Sequence, residues 1–181
     1  MVFNEMLRET DFLRVTAFTM GVSTLDYNQI AATLNTSGLL FKLYGDRLGA
    51  GSIPVALTGK SPQPSPTQHI VDDLPRTSAG SPTYPLDMVA ALSADQKFFT
   101  LAVVNATNSE QNFDLAVDGV PVGGNGTLRR MTGNNLEAAN KVGQPPQADI
   151  KQIEIGEAPV TLSVAPISVV IYRFPVMQTA P

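Results

Sequence analysis

The chain has 181 residues, room for one or two domains, and its 43% hydrophobic content excludes wholesale disorder. A net charge of −4 removes the electrostatic basis for a nucleic-acid or anionic-membrane partner. Cysteine is absent and His69 is the sole histidine, which excludes disulfides, thiolate metal sites and multi-histidine metal sites.

At the start, Val2, Phe3, Met6 and Leu7 have the spacing of a helix face, with Asn4, Glu5, Arg8 and Glu9 on the other side. Those charges also break any signal-peptide core near Met1, and no stretch approaches the ~18 apolar residues of a membrane span. The default expectation is therefore a cytoplasmic protein without a membrane partner. Residues 16–22, with little charge and a short apolar run, read as a buried strand of the kind parallel sheets contain. Thr36 or Ser37 is placed to cap a second helix carrying Leu39, Leu40, Leu43, Tyr44 and Leu48, which Gly49 and Gly51 end. Helix, strand and helix make an α/β fragment that cannot close a sheet by itself.

After Gly51 the period changes from helical to alternating. Ile53, Val55 and Leu57 alternate around Pro54, which marks an edge strand because proline cannot donate to a ladder. A loop dense in Pro, Ser and Thr follows over residues 59–85, read as a surface connection on loop-length grounds. Strands are then expected at 87–92, 97–104, around Phe113–Val117, and at 127–131, 150–155, 160–164 and 168–174, with turn residues between them. Roughly eight short strands spaced in this way predict a mainly β chain: an antiparallel β-sandwich, jelly-roll-like, behind the helix-strand-helix segment.

Candidate sites are few. Glu5 follows an asparagine, as the acid/base carboxylate of many retaining glycosidases does, and would need a second carboxylate roughly 5 Å away as nucleophile. Its place beside Arg8 and Glu9 on an amphipathic helix makes a solvated charge the ordinary reading. Asp26, in Asp26-Tyr27-Asn28, follows the expected buried strand, where βα loops carry function; a plain turn is the competing reading. His69 with Asp72 and Asp73 lies in the proline-rich loop without any EF-hand spacing, so no metal site is assigned. Arg129 and Arg130 fall on opposite faces of one strand by the period of two. Asn35, Asn105 and Asn125 match the glycosylation sequon, an unremarkable number in an Asn/Thr-rich chain. Gly123-Gly124-Asn125-Gly126 lacks the Lys-Ser/Thr pair of a phosphate loop, and no cofactor is expected.

A family resemblance adds what periodicity does not supply. Met131-Thr132-Gly133, Ala138-Ala139-Asn140 and Gln144-Pro145-Pro146, in that order, resemble a segment in the C-terminal domain of the α-L-arabinofuranosidases of glycoside hydrolase family 51. Ala165 to Tyr172 is similar to that family's final strand, and Leu101-Ala102-Val103-Val104-Asn105 to an earlier one. Glu5 to Arg8 with Asp11-Phe12 resembles the barrel helix after the nucleophile-bearing strand, and Gly38 to Tyr44 the last barrel helix. The resemblance implies that residues 1–50 are the end of a (β/α)8 barrel and residues 51–181 a C-terminal β-sandwich. It also implies a parent enzyme that releases terminal arabinofuranose from arabinan or arabinoxylan with retention, through two glutamates that have no matching position here. The family's sugar-contacting glutamine on the last barrel strand aligns near Met20, which is no match. On this view the chain contributes packing and subunit contacts: it meets an arabinose-containing polysaccharide or oligosaccharide through the parent and forms a homo-oligomer through the barrel remnant. The other class of function is a self-standing carbohydrate-binding or interaction sandwich without catalysis. Trp is absent and Tyr27, Tyr44, Tyr84 and Tyr172 are scattered, which weakens that reading.

Overall fold

A computed structural model describes residues 2–11, 13, 24–49, 51–59, 67–68, 77–78, 83–133, 135, 137–157 and 161–177. Helix α1 (Val2–Arg8) is followed by a hairpin of β1 (Leu25–Tyr27) and β2 (Ala32–Leu34), then α2 (Thr36–Gly45) and β3 (Ile53–Val55). Two-residue strands β4 (Thr67–Gln68) and β5 (Thr77–Ser78) pair with each other inside the proline-rich loop. Then come β6 (Leu86–Leu92), β7 (Phe98–Asn105), β8 (Gln111–Asp114), β9 (Asn125–Gly133), β10 (Ala148–Glu157), β11 (Thr161–Val164) and β12 (Ser168–Pro175). The main sheet has six antiparallel strands in the order β10-β9-β12-β7-β6-β3, and β11 pairs with β8 in a second layer.

The chain is mainly β and antiparallel, as its alternation predicts. The central strands read as nearly unbroken apolar runs because both of their faces are covered. Val170, Tyr172 and Phe174 of β12 join Met88, Leu101, Val103, Leu162 and Val164 in a core between the two layers. Ile171, one residue out of phase, joins Val89, Ala102 and Met131 in a second core beneath Leu43, Tyr44 and Leu48 from α2 and its C-terminal turn. Period two sends successive residues to opposite faces, so one strand feeds both cores. Burying a side chain such as Phe174 or Leu101 is worth about 1.5–3 kcal/mol, and each core holds several.

Edge strands are blunted on both sides. Pro54 sits on β3, paired with Ala91 at one margin of the sheet, where its missing N–H costs no ladder bond. At the other margin β10 is exposed over most of its length and carries Asp149, Lys151, Glu154 and Glu157, with a bulge between Ile155 and Glu157. Charges and bulges of this kind discourage pairing with another chain.

The helix expected at the start and the one after Ser37 are both present. The buried strand expected over residues 16–22 lies outside the described residues, as do His69, Asp72 and Asp73. Two local expectations are corrected. The second helix is capped by Asn35, whose Oδ1 accepts from the Gly38 N–H at 3.0 Å; Thr36 and Ser37, the two expected caps, lie inside the helix, and Thr36 donates its hydroxyl to the Ala138 carbonyl at 2.8 Å. Asp26 and Tyr27 lie in the first arm of a hairpin, and the turn proper begins at Asn28.

Candidate functional site

The two carboxylates singled out in the sequence are both engaged structurally. Glu5 is exposed on α1 and accepts from Arg8 Nε at 2.9 Å and also from Arg8 Nη2. Asp26 Oδ2 accepts the backbone N–H of Val142 at 2.7 Å, tying the β1–β2 hairpin to the connection between β9 and β10. Neither lines either of the two described clefts. The larger cleft, about 520 Å³, lies over the sandwich core, with Met88, Phe99 and Leu101 on one wall and Phe113 and Leu115 on the other. Its carboxylates are Asp114 and Asp118, and Asp114 already accepts from the Thr161 hydroxyl at 2.7 Å. Paired carboxylates, one proton donor and one nucleophile, are what glycoside hydrolysis needs. Among the described residues no such pair faces a cleft with both members uncommitted.

A buried polar node forms where α1, α2 and β6 meet. Asn4 is fully buried; its Nδ2 donates to the Asp87 carbonyl at 2.8 Å, and its Oδ1 accepts from the Tyr44 hydroxyl at 2.6 Å. Arg8 Nη1 reaches the Asp87 carboxylate at 2.8 Å and the Met88 carbonyl at 2.9 Å. Burial alone would weaken the guanidinium's hold on its proton, but the bonds and charges of Glu5 and Asp87 outweigh it and raise the Arg8 pKa. Burial, reinforced by the Asp87 charge, pushes the Tyr44 phenol well above its ordinary range, so it stays a neutral donor. The node is a strut: it fixes α1 on the sheet rather than presenting a reactive atom.

A second tie holds the far end of α2. Asp46 accepts from Arg129 of β9 at 2.6 Å and from Lys42 at 3.3 Å, and Arg47 donates to Gln152 of β10 at 3.2 Å. The bond from Arg129 holds the Asp46 carboxyl below its usual range. Arg129 therefore works on the helix side of the sheet, as the period of two requires, with Arg130 on the other face of β9.

One expectation is revised by this geometry. Asn4, placed by spacing on the polar side of the first helix, points into the interior. The signal that could have found it is Asp87, an acidic residue inside a strand that is otherwise apolar and buried on both faces, which must be met by polar groups from whatever covers it. Asn105, a sequon asparagine, is 1% exposed and gives its Nδ2 to the carbonyls of Ser109, Val164 and Ala165, so in the folded chain it is no glycan acceptor.

No protein-family profile matches the sequence, and no curated protein sequence matches it either. Solved structures do match. The α-L-arabinofuranosidase of Thermotoga maritima, solved as an arabinose complex, superposes with a TM-score of 0.68 at 17% identity, over 93% of this chain and 35% of its own. For the family 51 α-L-arabinofuranosidase of Thermotoga petrophila the TM-score is 0.71 at 17% identity, over 95% of this chain and 36% of the enzyme. This chain has the fold of a family 51 arabinofuranosidase segment. A family 51 enzyme from Bifidobacterium longum gives 0.64 at 14% identity, over 96% of this chain and 33% of its own. The arabinofuranosidase-like chain thus spans about a third of the length of the solved enzymes it matches.

Proposed function

We propose that this chain is the C-terminal portion of an α-L-arabinofuranosidase-like glycoside hydrolase and serves there as a structural and assembly part. In this reading residues 1–50 end the catalytic barrel and residues 51–181 form the sandwich that braces it. The parent enzyme releases terminal arabinofuranose from arabinan or arabinoxylan by retaining hydrolysis, with one glutamate as nucleophile and one as acid/base, both on chain other than this one. The observation that carries the proposal is the Asn4–Tyr44–Arg8–Asp87 node. Buried polar bonds are spent on fixing two helices to a sheet, while Glu5 and Asp26 are committed to structural partners.

A self-standing sugar-binding sandwich is less well supported. Tyr44 and Tyr172 are core residues with their hydroxyls bonded to Asn4 and to the Ser163 carbonyl, which leaves Tyr27 as the strongly exposed tyrosine among the described residues.

Co-expression with the catalytic part of a family 51 arabinofuranosidase lacking its own C-terminal third tests the assembly role. The expected result is co-purification, with turnover of an aryl α-L-arabinofuranoside above that of the catalytic part alone. A folded chain that neither co-purifies nor raises turnover contradicts it.

A further inference from the structure

The two layers of the sandwich are unequal. Six strands make one layer, while among the described residues the other is the β8–β11 pair alone. β11 bonds one side of β8, and no described strand pairs with its other side. The larger cleft, about 520 Å³, lies on that side: residues 111–118 form one wall and no residue of β11 lines it. Its floor is the main sheet at Met88, Phe99 and Leu101, and the opposite wall is the chain from Val55 to Gly59.

Alternation runs past the end of β8. Phe113, Leu115 and Val117 pack on the sandwich core, while Asn112, Asp114, Ala116 and Asp118 are exposed between them. Residues 115–118 therefore keep the side-chain period of a strand outside any described ladder. An open row of backbone donors and acceptors beside an apolar floor is what a further strand needs. The row supplies its hydrogen bonds, and the floor takes its inward side chains.

The other free margins are closed to such a strand. Pro54 leaves the outer edge of β3 short of a donor, and β10 carries both signs of charge and a bulge. The β8 edge has neither proline nor a register shift. Its charges have one sign: Glu110, Asp114 and Asp118 share the exposed row, and residues 106–118 contain no cation. Asp114 also accepts from the Thr161 hydroxyl, which keeps it on the outer face of the layer. Self-pairing with a second copy of β8 would set carboxylates against carboxylates, so the complement is a different strand with cations on its outer face.

We propose that the open side of β8, with residues 115–118, accepts an extended segment of another protein as an added β-strand. That segment alternates apolar residues, turned into the cleft, with lysine or arginine turned outward beside Asp114 and Asp118. This partner is additional to the structural part played within a parent glycoside hydrolase.

The test is fluorescence anisotropy of a dye-labelled octapeptide of alternating valine and lysine, titrated with the 181-residue chain. A valine–glutamate octapeptide is the control, and saturable binding of the lysine peptide alone is expected. In a strand, alternate residues aim their N–H groups at opposite edges, so N-methylation of the valines or of the lysines blocks one edge each. One methylated peptide is expected to lose binding and the other to keep it. Ala116→Lys with Asp118→Lys, both at exposed positions, is expected to weaken the lysine peptide by roughly tenfold and to leave the circular dichroism unchanged. No binding of the lysine peptide, equal binding of the glutamate peptide, or equal behaviour of the two methylated peptides overturns the site. Hydrogen exchange over residues 112–118 completes the test, with fast exchange expected in the chain alone and slow exchange with the lysine peptide. Protection already present at every chain concentration would mean that this chain fills the edge itself, and protection that grows with concentration would mean a second copy fills it. Either result overturns the proposal.

Discussion

Asn4 shows how one small polar side chain can set the geometry of a helix. Its carboxamide satisfies the Asp87 carbonyl and accepts the Tyr44 hydroxyl, both inside the protein. Asn4→Ala strands those two groups, and urea unfolding should show a loss of about 1–3 kcal/mol. The neighbouring Glu5→Gln removes only the exposed half of the Arg8 pairing and should cost less than about 1 kcal/mol in the same measurement. Tyr172 gives a pH signature. Burial raises its phenol from the ordinary value near 10 to about 12, so the folded chain holds that proton where the unfolded chain releases it. Stability should therefore be flat with respect to this group below pH ~10, fall between pH ~10 and ~12, and level off above. Tyr172→Phe should remove that part of the alkaline slope, while lowering stability at neutral pH because the Ser163 carbonyl loses its donor.

At the scale of elements, Gly38 makes the most discriminating prediction. It lies in the first turn of α2, where alanine ordinarily favours a helix by up to about 1 kcal/mol. Here a Cβ would run into the Thr24 backbone carbonyl and a Leu34 methyl at the base of the hairpin. Gly38→Ala should thus destabilise, by about 1–3 kcal/mol in urea, and should loosen the hairpin as seen by hydrogen exchange at the Asn35 amide. How much of each element could be read beforehand follows the same physics. Central strands β7 and β12 are legible because burial on both faces leaves an unbroken apolar run, and β3 because Pro54 permits only an edge. The hairpin is not, since three-residue arms carry too little alternation and its anchor, Asp26 to Val142, has no local signal. Asn4 escaped for a related reason: its neighbours in the helix are charged, and only the partner strand explains its burial.

Considered as a whole, the molecule is a two-sided sheet with a sandwich core on one face and a helix-covered core on the other. Polar ties brace both sides: the Asn4 node and the Asp46–Arg129 pair on the helix side, and Asn105 and Tyr172 on the sandwich side. The ties on the helix side hold a helical segment in fixed register on the sheet, and among the described residues no facing carboxylate pair of the kind glycoside hydrolysis requires lines a described cleft. The backbone superposes on family 51 arabinofuranosidases over 92% or more of this chain in three of the matches, so the fold is the one the short motifs led us to expect.

The most direct measurement is hydrolysis of an aryl α-L-arabinofuranoside by the purified 181-residue chain, its mass confirmed and contaminating glycosidase excluded. The account predicts no turnover above buffer. Turnover that disappears in Glu5→Gln would contradict it, because the chemistry would then run on a carboxylate that the structure assigns to an exposed helix ion pair.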